Sequence, residues 1–511
     1  LDILICKKFP RIVNDNQQSY RKVLNATSLF GGVQFINIIL RLIRSKAIAL
    51  LIGPIGMGIS NLLLTTMELI NGLTNLGLER SAVKDISLAN TNSNSKSVAI
   101  TISILKKLVW LTITVGVILM ILSAPWLSEI AFGNKDYTIS FRWISIALLF
   151  KQLSSSQLAI LQGLRKLKSL AKANLLGNFI GLLITLPLYY YYKIDAIVPA
   201  IIIATFMSFV FTYYYSHKLD IKSVTISRKE AVSEGKGMIN LGVMLSLSSL
   251  ITLLVAYIIR IYIGSANETE ELGLIDVGLY SAGFVILNSY VGIIFNAMGT
   301  DYFPRLSEIA NDITKLRKTV LEQATVAILL ITPIIVVFLA CAPFIIVILY
   351  SHEFSPIVAM VTWGILGMIF KAVSWSMGYM IIAKGDSKVF IKTAIGFNTI
   401  LLSINIIGYH FGGLEGVGIS FFIYYIIHFI AIRIITYYRY DFYFEKGFYK
   451  IFTFTVIMCF LAFSITLIPS SILKNSLMIG LIVVSCWYSY KELDKKIGVK
   501  DYLAGIFKRK K

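Results

Sequence analysis

Four basic side chains stand where an apolar chain has least use for charge. Arg41, Arg44, Lys151 and Lys371 each interrupt a hydrophobic run long enough to cross a bilayer. Charge held that deep must face protein or water rather than lipid, and a group of such cations suits an anion. At 100° per residue, Gln34, Asn37, Arg41, Arg44 and Ser45 fall within about 100° of one another, so they form one polar stripe on a helix running from Leu24 to Gly58. Lys46 lies off that stripe. Two arginines at bilayer depth cost roughly 5–7 kcal/mol on insertion scales, which the flanking Leu, Ile and Phe can offset. Lys151 and Lys371 sit near the middle of their runs and are followed one turn on by Ser154 and Ser374, which continue a hydrophilic wall. Glu68 is the one carboxylate deep in a span and can pair with one of these bases. Arg142 and Arg433 stand at span ends, where snorkelling to head groups accounts for them; Arg260 and Lys46 fit either snorkelling or a cavity-facing role.

The elements that must position these residues follow from composition. With 57% hydrophobic and 15% charged residues and a mean hydropathy of +0.77, 511 residues cannot build a soluble domain with a polar surface. The expectation is an all-α polytopic membrane protein. Cys6, Cys341, Cys459 and Cys486 show no paired spacing and read as small hydrophobes, and His217, His352, His410 and His428 make no metal-ligand pattern. No metal site and no cofactor are expected; whether a proton or sodium ion couples to the protein is left open.

Runs of about 20 residues suffice for a ~30 Å hydrocarbon core. They number fourteen, near 25–51, 57–78, 106–124, 141–161, 173–192, 196–215, 238–263, 277–300, 321–349, 357–382, 389–410, 416–436, 449–468 and 475–490. With the amino terminus inside, 37 of the 48 Lys and Arg fall in inside segments and three (Lys135, Lys193, Lys474) in outside loops. That asymmetry predicts both termini to be cytoplasmic. The net charge of +21 is thereby explained by topology, without nucleic acid. The basic end, Lys508 to Lys511, reads as a topology and anionic-lipid anchor.

An offset of 220 residues aligns the chain with itself. Trp143 meets Trp363, Phe150 Phe370, Lys151 Lys371, Ser154 Ser374, Lys168 Lys388, Asn178 Asn398 and Gly58 Gly278. The offset holds six spans, an even number, so the halves share one topology and relate through a pseudo-two-fold axis along the membrane normal. The expected organisation is a tail at 1–23, a first six-helix lobe at 24–216, a linker at 217–237 carrying Arg228 and Lys229, a second lobe at 238–440, an accessory pair of spans at 441–490 and a basic tail at 491–511.

The run Lys46 to Gly58 with its Gly53-Pro54-Ile55-Gly56-Met57-Gly58 turn, then Asn75-Leu76-Gly77-Leu78, Glu79-Arg80 and Lys84-Asp85, resembles bacterial O-antigen translocases. So does Ala383-Lys384-Gly385-Asp386-Ser387-Lys388. The resemblance covers roughly residues 24 to 440. It implies the multidrug, oligosaccharidyl-lipid and polysaccharide exporter superfamily, with a MATE-like pair of lobes and no enzymatic activity. It further implies a flippase of the bacterial inner membrane that moves an undecaprenyl-diphosphate-linked oligosaccharide from the cytoplasmic to the periplasmic leaflet by alternating access. Membrane lipids and polysaccharide-assembly proteins are its expected partners. On this reading Arg41, Arg44, Lys151, Lys371, Arg260 and Lys46 hold the diphosphate, and Gln34, Asn37, Glu68, Ser154 and Ser374 line the cavity. The extra spans after residue 440 depart from a twelve-span core. The rivals are a cation-coupled multidrug exporter, which calls for more intramembrane carboxylates than Glu68, and a membrane glycan polymerase or glycosyltransferase, which calls for an acidic constellation in a sizeable outer loop.

Overall fold

Apolar side chains in lipid oblige every backbone N–H and C=O to find its partner within the segment, and the helix is the local solution. The computed structural model describes residues 15–91, 95–219, 224, 227 and 232–497. Among them the chain is helical almost throughout: α1 (Asp15–Thr74), α2 (Leu78–Thr91), α3 (Ser95–Phe132), α4 (Thr138–Gly163), α5 (Leu167–Tyr192), α6 (Ile197–His217), α7 (Lys236–Ser265) and α8 (Glu270–Val285), then α9 (Ile293–Glu308), α10 (Ile313–Leu349), α11 (Ile357–Ala383), α12 (Ser387–Tyr440), α13 (Lys446–Thr466) and α14 (Ser471–Ile497). Helix α1 begins at Asp15, inside the stretch expected to be a tail. Arg228, Lys229 and the basic end at 508–511 lie outside the described residues.

Eleven of the described helical segments are long and apolar enough to cross a membrane, and three of them hold two of the expected runs apiece. In α1 the break is at Gly53 (φ 64°, ψ −169°), followed by Pro54. A positive φ costs glycine little, and the proline prevents the helix from continuing through the turn. In α12 the break is at Gly412 and Gly413, and Ser420 Oγ donates to the Ile404 carbonyl at 2.6 Å across it, so the chain reverses there. Between α5 and α6 a short 3-10 turn at Lys193–Ala196 does the same. The 220-residue offset is visible in the backbone as well as in the side chains. Lys193 (φ 50°) corresponds to Gly413 (φ 54°), and Arg165 (φ 55°) to Gly385 (φ 67°).

The expected span 277–300 is interrupted. A π-helical turn at Ile286–Tyr290 separates α8 from α9. One extra residue per turn frees backbone groups and re-aims the side chains nearby, and such turns concentrate at functional positions.

Helices α2 to α6 pack mainly on one another, α9 to α12 do the same, α1, α7 and α8 form the seam between the two sets, and α13 and α14 lie against α10. The two halves meet where glycine removes the side chain. A Cβ on Gly58 would strike the Leu274 carbonyl and one on Gly278 the Pro54 carbonyl, which brings α1 against α8. Gly77 and Gly242 make a second such approach, between the start of α2 and α7. Arg80 reinforces it by donating to the Leu245 carbonyl at 2.9 Å and to Ser249 Oγ at 3.0 Å.

Candidate functional site

The stripe on α1 opens onto a cavity of about 170 Å³ lined by Asn37, Arg41 and Arg44 together with Asn178 and Thr185 of α5 and Ala204 of α6. Asn37 is buried and accepts a hydrogen bond from Asn178 Nδ2 at 3.0 Å. Gly177 and Gly181 on α5 allow the α6 backbone close to α5, so polar groups are concentrated on the α1 side of a narrow space. Arg41 is exposed and Arg44 half-buried, with Arg44 beside the buried Tyr189. Two guanidiniums one helical turn apart, with amides next to them, can grip an anion through charge-assisted hydrogen bonds. The Gln34 side chain lies outside the described residues.

A second setting occurs twice. Lys151 of α4 forms an ion pair with Glu68 of α1. Lys371 of α11 donates to Asn288 Oδ1, in the π turn, at 3.2 Å. Both pairs span 83 residues, and Glu68 and Asn288 are themselves 220 apart. One structural pair is therefore present in each half, with a carboxylate in the first and an amide in the second. Lys371 is instead enclosed by ring faces, its Nζ 5.0 Å from the Tyr425 centroid and 5.8 Å from that of Phe295. An amide and two aromatic quadrupoles stabilise the ammonium without cancelling its charge. Ser154 bonds to Ser208 at 2.9 Å and receives a bond from Thr212 at 3.3 Å. Ser374 donates back to the Lys371 carbonyl at 3.2 Å. Ser154 thus ties α4 to α6 beside Lys151, while the Ser374 bond stays within α11.

The remaining cations have other neighbours. Arg260 is buried between α7 and α8; its Nη1 donates to the Ala256 carbonyl at 2.8 Å and its Nε to Ser281 Oγ at 3.3 Å, over the rings of Tyr280 and Phe284. Lys46 donates to the carbonyls of Val347 (2.7 Å) and Tyr350, satisfying the C-terminal end of α10 and tying α1 to it. Arg433 is exposed, 5.1 Å over the Tyr449 ring, and Arg142 is exposed.

The structure thus brings Asn37, Arg41 and Arg44 to one cavity. Lys151 with Glu68, Lys371, Arg260 and Lys46 each have a separate set of immediate partners. The sequence pairs Asn178 with Asn398 through the repeat without marking it as a site residue, and it does not single out Asn288 at all. The repeat offset places Asn288 on Glu68, but the two residues differ in type, so a search for identities passes over them.

Residues 47–359 match the family described as polysaccharide biosynthesis protein. The chain belongs to this family. Among its relatives is the lipid III flippase of Escherichia coli strain K12, 21% identical over 376 residues that make up 71% of this chain and 85% of the relative. Another, from Shigella flexneri, is named "Putative O-antigen transporter" and is 23% identical over 314 residues, 60% of this chain and 71% of the relative. In fold the chain is similar to the lipid II flippase MurJ in an inward closed conformation (TM-score 0.64, 15% identity, 92% of this chain and 99% of MurJ). It is equally similar to an inward-facing MATE multidrug transporter (TM-score 0.65, 15% identity, 80% of this chain and 95% of that one). The chain accordingly has the MATE-like fold, with helices long and apolar enough for a multi-pass membrane protein.

Proposed function

We propose that this protein flips an undecaprenyl-diphosphate-linked oligosaccharide, an O-antigen or related surface-polysaccharide repeat unit, from the cytoplasmic to the periplasmic leaflet of a bacterial inner membrane. Both termini lie in the cytoplasm, and transport proceeds by alternating access of the 24–216 and 238–440 lobes. The observation that carries the reading is the cavity where Arg41 and Arg44 stand with Asn37 and Asn178 at membrane depth. The names of the relatives supply the class of cargo. A diphosphate presents several acceptor oxygens to such a fork of donors, and the lipid tail stays among the helices. Lys371, with no carboxylate partner among the described residues, adds a basic group in the second half. Glu68 is occupied by Lys151, which leaves the extrusion of organic cations without a free carboxylate at that position.

The test is to replace Arg41 by Ala in cells that depend on the protein and to follow the lipid-linked glycan on each side of the membrane. Accumulation on the cytoplasmic side, at least tenfold over the parent, is expected with normal insertion of the variant. Unchanged translocation would refute the role of this cavity.

A further inference from the structure

At the membrane face where α10 starts, a cavity of about 930 Å³ opens between α9, α10, the connection at 441–445 and α14. It shares no residue with the Asn37–Arg44 cavity. Four cations reach it, Arg305, Arg317, Lys318 and Lys496, against the carboxylates Glu322 and Glu445. The balance on its wall is positive, so its natural occupant is an anion.

Arg317 is held for one. Its Nη2 donates to the side chain and backbone carbonyl of Asp441, and its guanidinium lies 4.7 Å over the Tyr443 ring. These contacts fix the plane of the fork. Its Nε is buried and has no hydrogen-bond partner among the described residues.

The wall then changes character. Leu321, Val326 and Leu329 continue the face of α10 that begins at Arg317 and Lys318, and Leu493 of α14 contributes an apolar side chain to the same cavity. From residue 317 to 329 the rise is about 18 Å, well over half the hydrocarbon thickness of one leaflet plus its interface. A cationic floor that continues into an apolar slot has the shape of a phospholipid and not of a free phosphate ion.

We propose that this cavity binds an anionic glycerophospholipid. Its phosphodiester lies on Lys318 and Lys496 beside Arg317, and one acyl chain runs along Leu321 and Val326. The lipid joins α14 to α10 and gives the accessory helices a purpose apart from the transported cargo.

The experiment uses the full chain purified in neutral detergent, with phosphatidylglycerol, phosphatidylcholine and inorganic phosphate as probes, read by native mass spectrometry and thermal unfolding. Wild type is expected to retain phosphatidylglycerol over phosphatidylcholine and to melt higher in its presence. The double variant Lys318→Gln, Lys496→Gln changes two exposed side chains and should lose about tenfold in retention while melting as wild type does without lipid. Val326→Trp leaves every charge in place and fills the apolar slot; it should lose retention to a similar degree. The proposal is overturned if either variant retains phosphatidylglycerol as wild type does, if phosphatidylcholine binds equally well, or if millimolar inorganic phosphate displaces the lipid, which would make this a small-anion site.

Discussion

Lys151 and Lys371 occupy corresponding places in the two halves, 220 residues apart, and their partners stand at the same offset. One is answered by Glu68 and the other by Asn288. The two halves share reversals at corresponding positions, and at this pair a carboxylate in one half stands where an amide stands in the other. In the first half the pair is neutral and serves packing. In the second the Lys371 amine faces the Tyr425 and Phe295 rings and an amide in a π turn in place of a carboxylate. On the proposed function, the difference separates what such a cation does for the fold from what it does for the cargo.

Removing Glu68 tests the structural side and carries the largest expected effect on stability. Glu68→Gln leaves Lys151 with an amide, as Lys371 has, but without the aromatic cage. A fully buried ion separated from its partner costs 3–5 kcal/mol; these side chains are 26% and 36% exposed, so the expected loss is about 2 kcal/mol. A melting temperature in detergent within a degree of the parent would show that the ion pair contributes nothing to packing. Asn288→Asp tests the other side. It converts the second half to the first by neutralising Lys371, and it should reduce glycan translocation about tenfold, or 1.4 kcal/mol, without lowering the melting temperature. Transport at the parental rate would show that the charge on Lys371 is not used.

Much of this frame was legible before any coordinates. Apolar runs locate the helices because lipid leaves the backbone no alternative, and Gly53-Pro54 and Gly412-Gly413 mark two of the three reversals. The stripe of Asn37, Arg41 and Arg44 could be read because its residues share one helix face, and the structure puts them on one cavity. What could not be read depends on partners far away in the chain. The acceptors of Lys46 are 301 and 304 residues distant. Arg260 is enclosed by Ser281, Tyr280 and Phe284 of the next helix, and no periodicity along α7 discloses that. The π turn that carries Asn288 has no proline to announce it, and the long α1 and α12 arise because their two helices meet with almost no loop between them.

The two halves also differ where their fifth helices begin, and here the smallest effects are expected. In the second half Gly385 takes the left-handed turn and Asp386 caps α12, accepting from the Val389 amide at 3.3 Å and from Arg439 Nε at 3.0 Å. At the same offset the first half has Arg165, with φ 55°, and Lys166, which makes no side-chain cap to α5. Burial would raise the Asp386 carboxyl, but the Val389 amide and the Arg439 guanidinium outweigh it and hold the group below the usual carboxylate range. A depressed carboxyl contributes stability that is complete above the unfolded value near 3.9 and is lost as pH falls through the lower folded value. The parent should therefore lose this contribution below about pH 4, while Asp386→Asn, which lacks it throughout, should show a flatter acid limb in thermal melts. Lys166→Asp should give the first half the cap it lacks and raise its stability by about 1 kcal/mol, provided the left-handed turn at Arg165 already sets the entry angle that Gly385 sets in the second half. Unchanged melting of Lys166→Asp, with a rise on adding Arg165→Gly, would place the difference between the halves in the turn and not in the cap.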